Sequence, residues 1–460
     1  MATKHIATWA NELNYSDLPQ DVIQSASRSF YNWVGCAIGG SDHPATTIAY
    51  NSLSPFFGPP QSSLLGRKGA KIDAQHAALI NGIASHVHDY DDTHLDTIIH
   101  PTGPVASALL AVAEWKGGFS GKEFLLALIV GIEVECKLGL AVWPEHYDVG
   151  WHITSTTGSI GAAAAVSKLL GLSVEQMNHA LGVAATQVIG LREVFGSHTK
   201  SFHPGRAAQS GLIAAVLAQG GYTSSETAIE AKRGWANVVG ATKSSIPESL
   251  EKWLGMDNQD LGLASTNGGR WEILRNSFKP YPCGIVIHPV IDGCSQLHRD
   301  IAKLRLEVAD IKEVKAKVHP LVLELTGKRK PKDGLEGKFS VFHGGAIGLI
   351  FGKGTPRQYE DEAVRDLAVI EVRNKIECVA DTTIAADETK IVLTMVDGNV
   401  LEKHVKYAVG SIEAPMDDQM LRQKFEDQCA AVLGGGARSA STKCWNVEDM
   451  SDIAEIARLA

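Results

Sequence analysis

The feature that most constrains this chain is a succession of segments rich in Ala, Gly and Leu that fills more than its first half. "HAALINGIASHVHDY", "PVASALLAVAEWKG", "GKEFLLALIVGIEVECKLGLAV", "TGSIGAAAAVSKLLGL", "VEQMNHALGVAATQVIGL" and "GRAAQSGLIAAVLAQGGY" follow one another. In each, apolar residues recur at three- and four-residue spacing, the period of a helix with a buried face. Several open on Ser, Thr, Pro or Asp and close at Gly, as capped helices do. Dense Ala and Gly lets helix axes approach closely. These segments predict an all-helical bundle. The longest apolar stretch is interrupted by Glu133, Glu135 and Lys137, so it reads as a buried core helix rather than a membrane span.

The pattern changes towards the C-terminus. "IKEVKAKVHPLVLELTG", from Ile311, alternates like a strand, and "VIEVRNKIECVAD" follows it. In "KIVLTMVDGNVLEKHVKYAVG", Asp397-Gly398 separates two alternating runs, a hairpin signal. After "GSIEAPMDDQ" the segments "MLRQKFEDQCAAVL" and "VEDMSDIAEIARLA" return to helical spacing. At 460 residues the chain exceeds the size at which one core stops growing. The expected organisation is therefore mainly α: a helical domain over residues 1–268, an inserted α+β domain over 269–406, and a return to the helical domain over 407–460.

A formal net charge of -9 with no long Lys/Arg run argues against nucleic-acid binding. Cys36, Cys136, Cys283, Cys294, Cys378, Cys429 and Cys444 are scattered, without paired spacing, which points to a reducing compartment and away from a disulfide framework or structural zinc. The N-terminal segment carries acids early and lacks an apolar run, so the expected location is the cytoplasm; a mitochondrial matrix protein after presequence removal fits the same composition.

Chemistry-bearing residues gather in five places. His86 to Pro101, "HVHDYDDTHLDTIIHP", holds four histidines and four aspartates. Their spacing fits neither a helical HExxH pair nor separated ligand arms, so acid–base work is expected there rather than metal binding. His152, in "DVGWHITSTTGSIG", stands before a small-residue helix whose N-terminus favours an anion, with Thr154 or Ser155 as the N-cap. Lys200, His203 and Arg206, in "SHTKSFHPGRAAQSG", offer three cations at another helix start, suited to carboxylates. In "FKPYPCGIVIHPVIDGC", Lys279 and Cys283 flank a Pro-Tyr-Pro turn; without a visible base or oxyanion hole, Cys283 reads as a small pocket-lining residue. "KRKPKDGLEGKFSVFHG" adds five further cations. No GxGxxG, GxxxxGK[ST] or GxSxG motif supports a nucleotide or acyl-hydrolase reading.

Taken in order, D-x-D-D-T with a later H-P, G-W-H, K-x-F-H-x-G-R-A-A, K-P-Y-P-C-G and G-L-E-G-K-F-S resemble the MmgE/PrpD family along essentially the whole chain. That family includes 2-methylcitrate dehydratases, cis-aconitate decarboxylases and iminodisuccinate epimerases. The resemblance implies a large helical domain built from both termini, a smaller α+β lid, a homodimer, and a cofactor-free site in the cleft between them. It implies a pocket formed by Asp89, Thr93, His100, His152, Lys200 and Lys279. His100 and His152 would be the acid–base pair, Asp89 would orient a histidine, and Thr93, Lys279 and Lys200 would hold substrate carboxylates. The sequence departs from the decarboxylase pattern in two respects: the spacing from Asp89 to His100 is one residue longer than in those members, and Gly284 stands where they carry a histidine.

The preferred reading is a cofactor-independent lyase acting by proton transfer beside a carboxylate of a small di- or tricarboxylic acid, of the 2-methylcitrate dehydratase kind. A cis-aconitate decarboxylase-like lyase and an epimerase of an iminodisuccinate-like amino diacid share the same chemistry. A non-catalytic binding protein on the same fold would differ by loss of the ionisable cluster, which is retained here.

Overall fold

The computed structural model describes residues 1–240, 243–256, 260–265 and 268–459. The fold is mainly α, and the small-residue segments form its centre. Helices Ala74–His86, Thr102–Lys116, Gly121–Val142, Ile153–Leu169 and Thr199–Gln219 pack into one apolar cluster. Their ends follow from local chemistry. The Asp73 side chain accepts the His76 N–H, and Ser120 with Glu123 forms a capping box. The small residues do what their density suggested: a Cβ on Gly82 would stand 2.4 Å from the Cα of Gly205, so two helices cross with their backbones nearly touching.

Glu133, Glu135 and Lys137 are all buried within helix Gly121–Val142. Glu133 accepts the backbone N–H groups of Glu272 and Ile273, and the Lys137 ammonium lies 2.7 Å from Glu272, which also meets the His94 ring at 3.0 Å. Buried charges persist only when partnered, and the partners of Glu133 and Lys137 come from far along the chain. Glu135 has no hydrogen-bond partner, and burial pushes its carboxyl well above the usual range, towards the neutral form. Among the described residues no helix is long and apolar enough to cross a membrane.

A second apolar cluster is built on a four-stranded sheet in the order Ile376–Ala380, Ile311–Val318, Thr389–Met395, Val400–Val405. The first pair is parallel and the others antiparallel. Helices His288–Lys303 and Val341–Phe351 contribute to the same cluster. The hairpin falls at Asp397-Gly398, where Gly398 takes φ +92. Two alternating runs are shorter as strands than their patterns predict. Pro320 starts a helix, Pro320–Thr326, because its missing N–H is harmless at a first turn. "VIEVRN" lies in helix Leu367–Asn374, capped by Asp366.

The C-terminal helix Asp418–Leu433 returns to the first cluster, with Phe425 stacked on Tyr31 at 4.6 Å between ring centroids. The expected last helix is largely absent: only Val447–Asp449 and Ala454–Ala457 are helical. The intervening backbone is used otherwise, since Met450 accepts the Gly121 N–H and Ile453 donates to Phe119. All seven cysteines are free and buried.

A short antiparallel pair, Thr93–His94 with Asn276–Ser277, lies just before the chain passes from the first cluster, at Phe278, to the second, at Cys283. That pairing brings the histidine-rich loop after helix Ala74–His86 against the segment that carries Lys279.

Candidate active site

The loop from Val87 to Pro101 leaves its helix and turns back at Asp89, whose φ of +52 lies in the left-handed region. Aspartate tolerates that conformation because its short polar side chain can bond locally. The turn aims the carboxylate inward. Asp89 Oδ1 stands 2.9 Å from the Lys200 ammonium and 2.7 Å from that of Lys279. Burial would raise this carboxyl, but the two ammonium groups hold it well below the usual carboxylate range. Lys200 is itself lowered by burial, against the pull of Asp89. Its ammonium sits 5.2 Å from the Phe195 ring centroid and 5.3 Å from that of Phe339, two aromatic faces that suit a cation.

His100 is oriented from behind. Its Nδ1–H donates to the Asp92 carbonyl at 2.8 Å, so in the neutral ring the lone pair is on Nε2, which faces Asp89 at 3.9 Å. Burial dominates and keeps this imidazole well below its ordinary value, against Asp91, which works the other way. His152 is likewise held neutral, by burial and by its neighbours His203 and Lys200. Its Nδ1 lies 2.7 Å from Nδ1 of His203, so one of the two donates and the other accepts. Burial also lowers His203, to about 4.

Asp89, His100, His152, Lys200 and Lys279 line one small cavity of about 40 Å³, walled also by Ile98, Tyr147, Phe195, Gly284, Val286 and Phe339. Of the residues singled out in the sequence, four others stand apart from its lining. Thr93 is behind His100, its hydroxyl 3.3 Å from Nδ1. His203 is behind His152. Arg206 turns along its own helix to Gln209. Cys283 is packed in the second apolar cluster, where burial pushes its thiol up to about 12. Thr154 and Ser155 do not cap the helix either. His152 is the N-cap, the Thr154 hydroxyl accepts the His100 N–H, and Ser155 donates to the carbonyls of His152 and Ile189. At Gly284 a Cβ would stand 3.1 Å from Thr326, so the wall closes tightly where the resemblance would put a histidine.

Two residues not singled out belong to the cluster. His86 is buried, its Nδ1 lies 2.7 Å from Asp91, its ring is 4.7 Å from that of His100, and its Nε2 has no hydrogen-bond partner. Lys338, from "GLEGKFS", is buried with its ammonium 3.3 Å from the Val87 carbonyl and from His88 Nδ1. Burial lowers it to about 7, although Asp89 opposes that shift. Nothing in local spacing links Lys338 to the His86 loop; the meeting is purely tertiary.

Ring nitrogens of His86, His100 and His152 lie within 4.8 Å of one another, as do ligand atoms of His86, Asp89, Asp91 and His100. These residues could hold a metal; so could His94, Asp96 and Glu272, where the two carboxylates are already paired with Lys137, Arg270 and Arg275. The two ammonium groups on Asp89 set positive charge beside the first two sets, which opposes a divalent cation. The donor set suits an anionic ligand better.

Comparison with known proteins agrees with the motif order. The MmgE/PrpD N-terminal domain model matches residues 4–246 and the MmgE/PrpD C-terminal domain model matches residues 281–446. The chain is similar to a cis-aconitate decarboxylase-like protein of Aspergillus oryzae, 26% identical over 99% of this chain and 96% of that protein. It is similar to the cis-aconitate decarboxylase of Homo sapiens, 26% identical over 99% of this chain and 94% of the human one. A 2-methylcitrate dehydratase of Cupriavidus necator is 23% identical over 84% of this chain and 81% of its own.

Proposed function

This chain belongs to the MmgE/PrpD family, and on that premise we propose that it is a lyase that moves a proton at a carbon beside a carboxylate of a small di- or tricarboxylic acid, without a cofactor. The observation that carries this reading is the pairing of a neutral imidazole with ammonium groups in one cavity. His100 presents the lone pair of Nε2 to the space that Lys200 and Lys279 also face. Lys279 takes a substrate carboxylate and, with Lys200, offsets the charge that develops as the C–H bond breaks. In a dehydration, His100 takes that proton, the C–H electrons form the double bond, and the C–O bond breaks. Lys200 protonates the departing hydroxyl to give water, and is reprotonated when His100 releases its proton.

Dehydration of a hydroxy acid of the 2-methylcitrate kind is the form we prefer, because Gly284 stands where the decarboxylase pattern carries a histidine, so the cavity has no third imidazole on that side. Decarboxylation of a cis-aconitate-like acid is the second reading, favoured by the fuller and somewhat higher similarity to the decarboxylases. NMR of the purified protein with 2-methylcitrate, cis-aconitate and an amino diacid in D2O separates water loss, carbon dioxide loss and isotope exchange. On whichever acid responds, His100→Ala and Lys200→Ala are expected to lose at least about a hundredfold in kcat. Folded variants that keep wild-type turnover overturn the assignment.

A further inference from the structure

The catalytic cavity admits the centres of only a few water-sized groups, roughly three or four at ~10–15 Å³ each. That accommodates the reacting end of a carboxylic acid and little more. Against it, on the far side of Ile98, Ile285 and Val286, lies a larger chamber of about 320 Å³. Those three residues line both spaces. The rest of the chamber includes Leu95, Trp143 and Leu321, so its walls come from both apolar clusters' sides of the cleft.

Its chemistry differs from that of the inner cavity. None of its lining residues is Lys or Arg. Its one carboxyl, Asp387, is pushed above its ordinary value by burial, and His288 is held neutral, near 3, chiefly by burial. A second substrate carboxylate would find no cation there and would meet Asp387; hydrocarbon would lose nothing and leave water. The partition is itself unusual. Ile98 takes φ +61, a conformation a β-branched residue rarely adopts, and its N–H is held by the His94 carbonyl at 2.8 Å. Such strain collects where a ligand is clamped.

We infer that the chamber is the second half of the substrate site and receives an aliphatic branch of several carbons carried by the acid whose reacting end meets His100 and Lys200. This rests on the lyase reading above and names its substrate class: an alkyl-branched polycarboxylate rather than an unbranched one.

The test is a homologous series of 2-alkyl citrates, from methyl through butyl to hexyl, with unbranched citrate and cis-aconitate alongside. Turnover is read by NMR and binding by calorimetry. Each added methylene is expected to raise kcat/KM and tighten binding roughly fourfold until the chamber is filled. Leu321→Trp, which narrows the chamber and does not touch the inner cavity, is expected to cut the hexyl-to-methyl preference at least tenfold. An unbranched or methyl acid used as well as the butyl and hexyl acids overturns the inference while leaving the lyase reading intact, as does a preference unmoved by Leu321→Trp. Should no acid turn over, the lyase reading fails, and calorimetry still decides the chamber: a hexyl acid that binds no tighter than the methyl acid overturns it.

Discussion

At the residue scale the site turns on Asp89, a buried carboxylate between two ammonium groups. Removing one partner of such a group leaves uncompensated charge, at a cost of ~3–5 kcal/mol. Asp89→Asn should therefore destabilise the fold by about that much, seen as a lower urea midpoint, and should abolish turnover. Asparagine tolerates the left-handed backbone as aspartate does, so this variant tests charge alone; Asp89→Ala adds roughly 1–2 kcal/mol of strain. Equal stability of Asp89→Asn and wild type would show that the ammonium groups do not need this carboxylate. Asp91 offers a second test, because it holds His86 Nδ1 at 2.7 Å, behind the ring of His100. Asp91→Asn is expected to lower kcat on the order of tenfold to a hundredfold with little change in KM, by analogy with the loss of tautomer control in a buried carboxylate–imidazole pair. An unchanged kcat would make the pair purely structural. Local pattern singled out the His86–Pro101 cluster, His152 and Lys200 because histidines and lysines crowded at helix ends, and the family resemblance named Asp89 and His100 within that cluster. It could not assign His86, whose value lies in an unpartnered Nε2 that only the fold reveals.

At the element scale the site depends on how closely helices Ala74–His86 and Thr199–Gln219 cross, since one leads into Asp89 and the other carries Lys200. The crossing is made by Gly82 and Gly205, and an added Cβ on Gly205 would stand 2.4 Å from the Leu79 carbonyl oxygen. Backbone cannot yield as a flexible side chain can. Gly205→Ala is thus expected to cost ~1–3 kcal/mol by overpacking, and to lower kcat by shifting Lys200 relative to Asp89. Gly435→Ala is the control: no atom lies within 4 Å of its added Cβ, so stability and activity should stay at wild type. A Gly205→Ala protein as stable and active as the control would mean that this contact does not set the site. Such crossings were legible as small-residue density, and so was the Asp397-Gly398 hairpin, because turn chemistry and periodicity are local. The run after Val318 and the last segment of the chain were misread for the converse reason. Pro320 imposed a helix start where alternation suggested strand, and the backbone around Met450 was taken by Gly121 and Phe119, partners more than 300 residues away in sequence. The Glu133–Lys137–Glu272 network was legible only as an interruption, since spacing shows that charges are buried but not with whom.

At the scale of the whole molecule, the fold keeps an unusual number of imidazoles neutral in its interior and along the seam between the two apolar clusters. Burial holds His146, His203 and His343 near 4 and His43 and His288 near 3, and His88, His100 and His152 lie well below the ordinary value. A group whose folded value is depressed contributes stability that is present above its unfolded value, near 6.5, and is lost as pH falls towards the folded one. Each such imidazole can remove up to ~1.4 kcal/mol per pH unit in that window. Five carboxyls act in the opposite sense: burial raises Asp92 to about 6, Glu133 to about 7, Glu135 well above its usual value, and Asp292 and Asp387 above theirs. Their stabilisation is present at low pH and lost as pH rises through those values. The imidazoles outnumber them, and Asp89 and Asp91, whose carboxyls are lowered, add their own loss only below the ordinary carboxylate range. The net slope between pH 7 and pH 5 is therefore set by the histidines. Urea unfolding followed by circular dichroism should show a lower midpoint at pH 5 than at pH 7, with stability falling by several kcal/mol across the interval. A flat profile, or a protein more stable at pH 5, would mean that the buried imidazoles are already protonated in the folded state. A neutral His100 would then be lost as the resting base, and the direction of proton flow proposed for the site would have to be reversed.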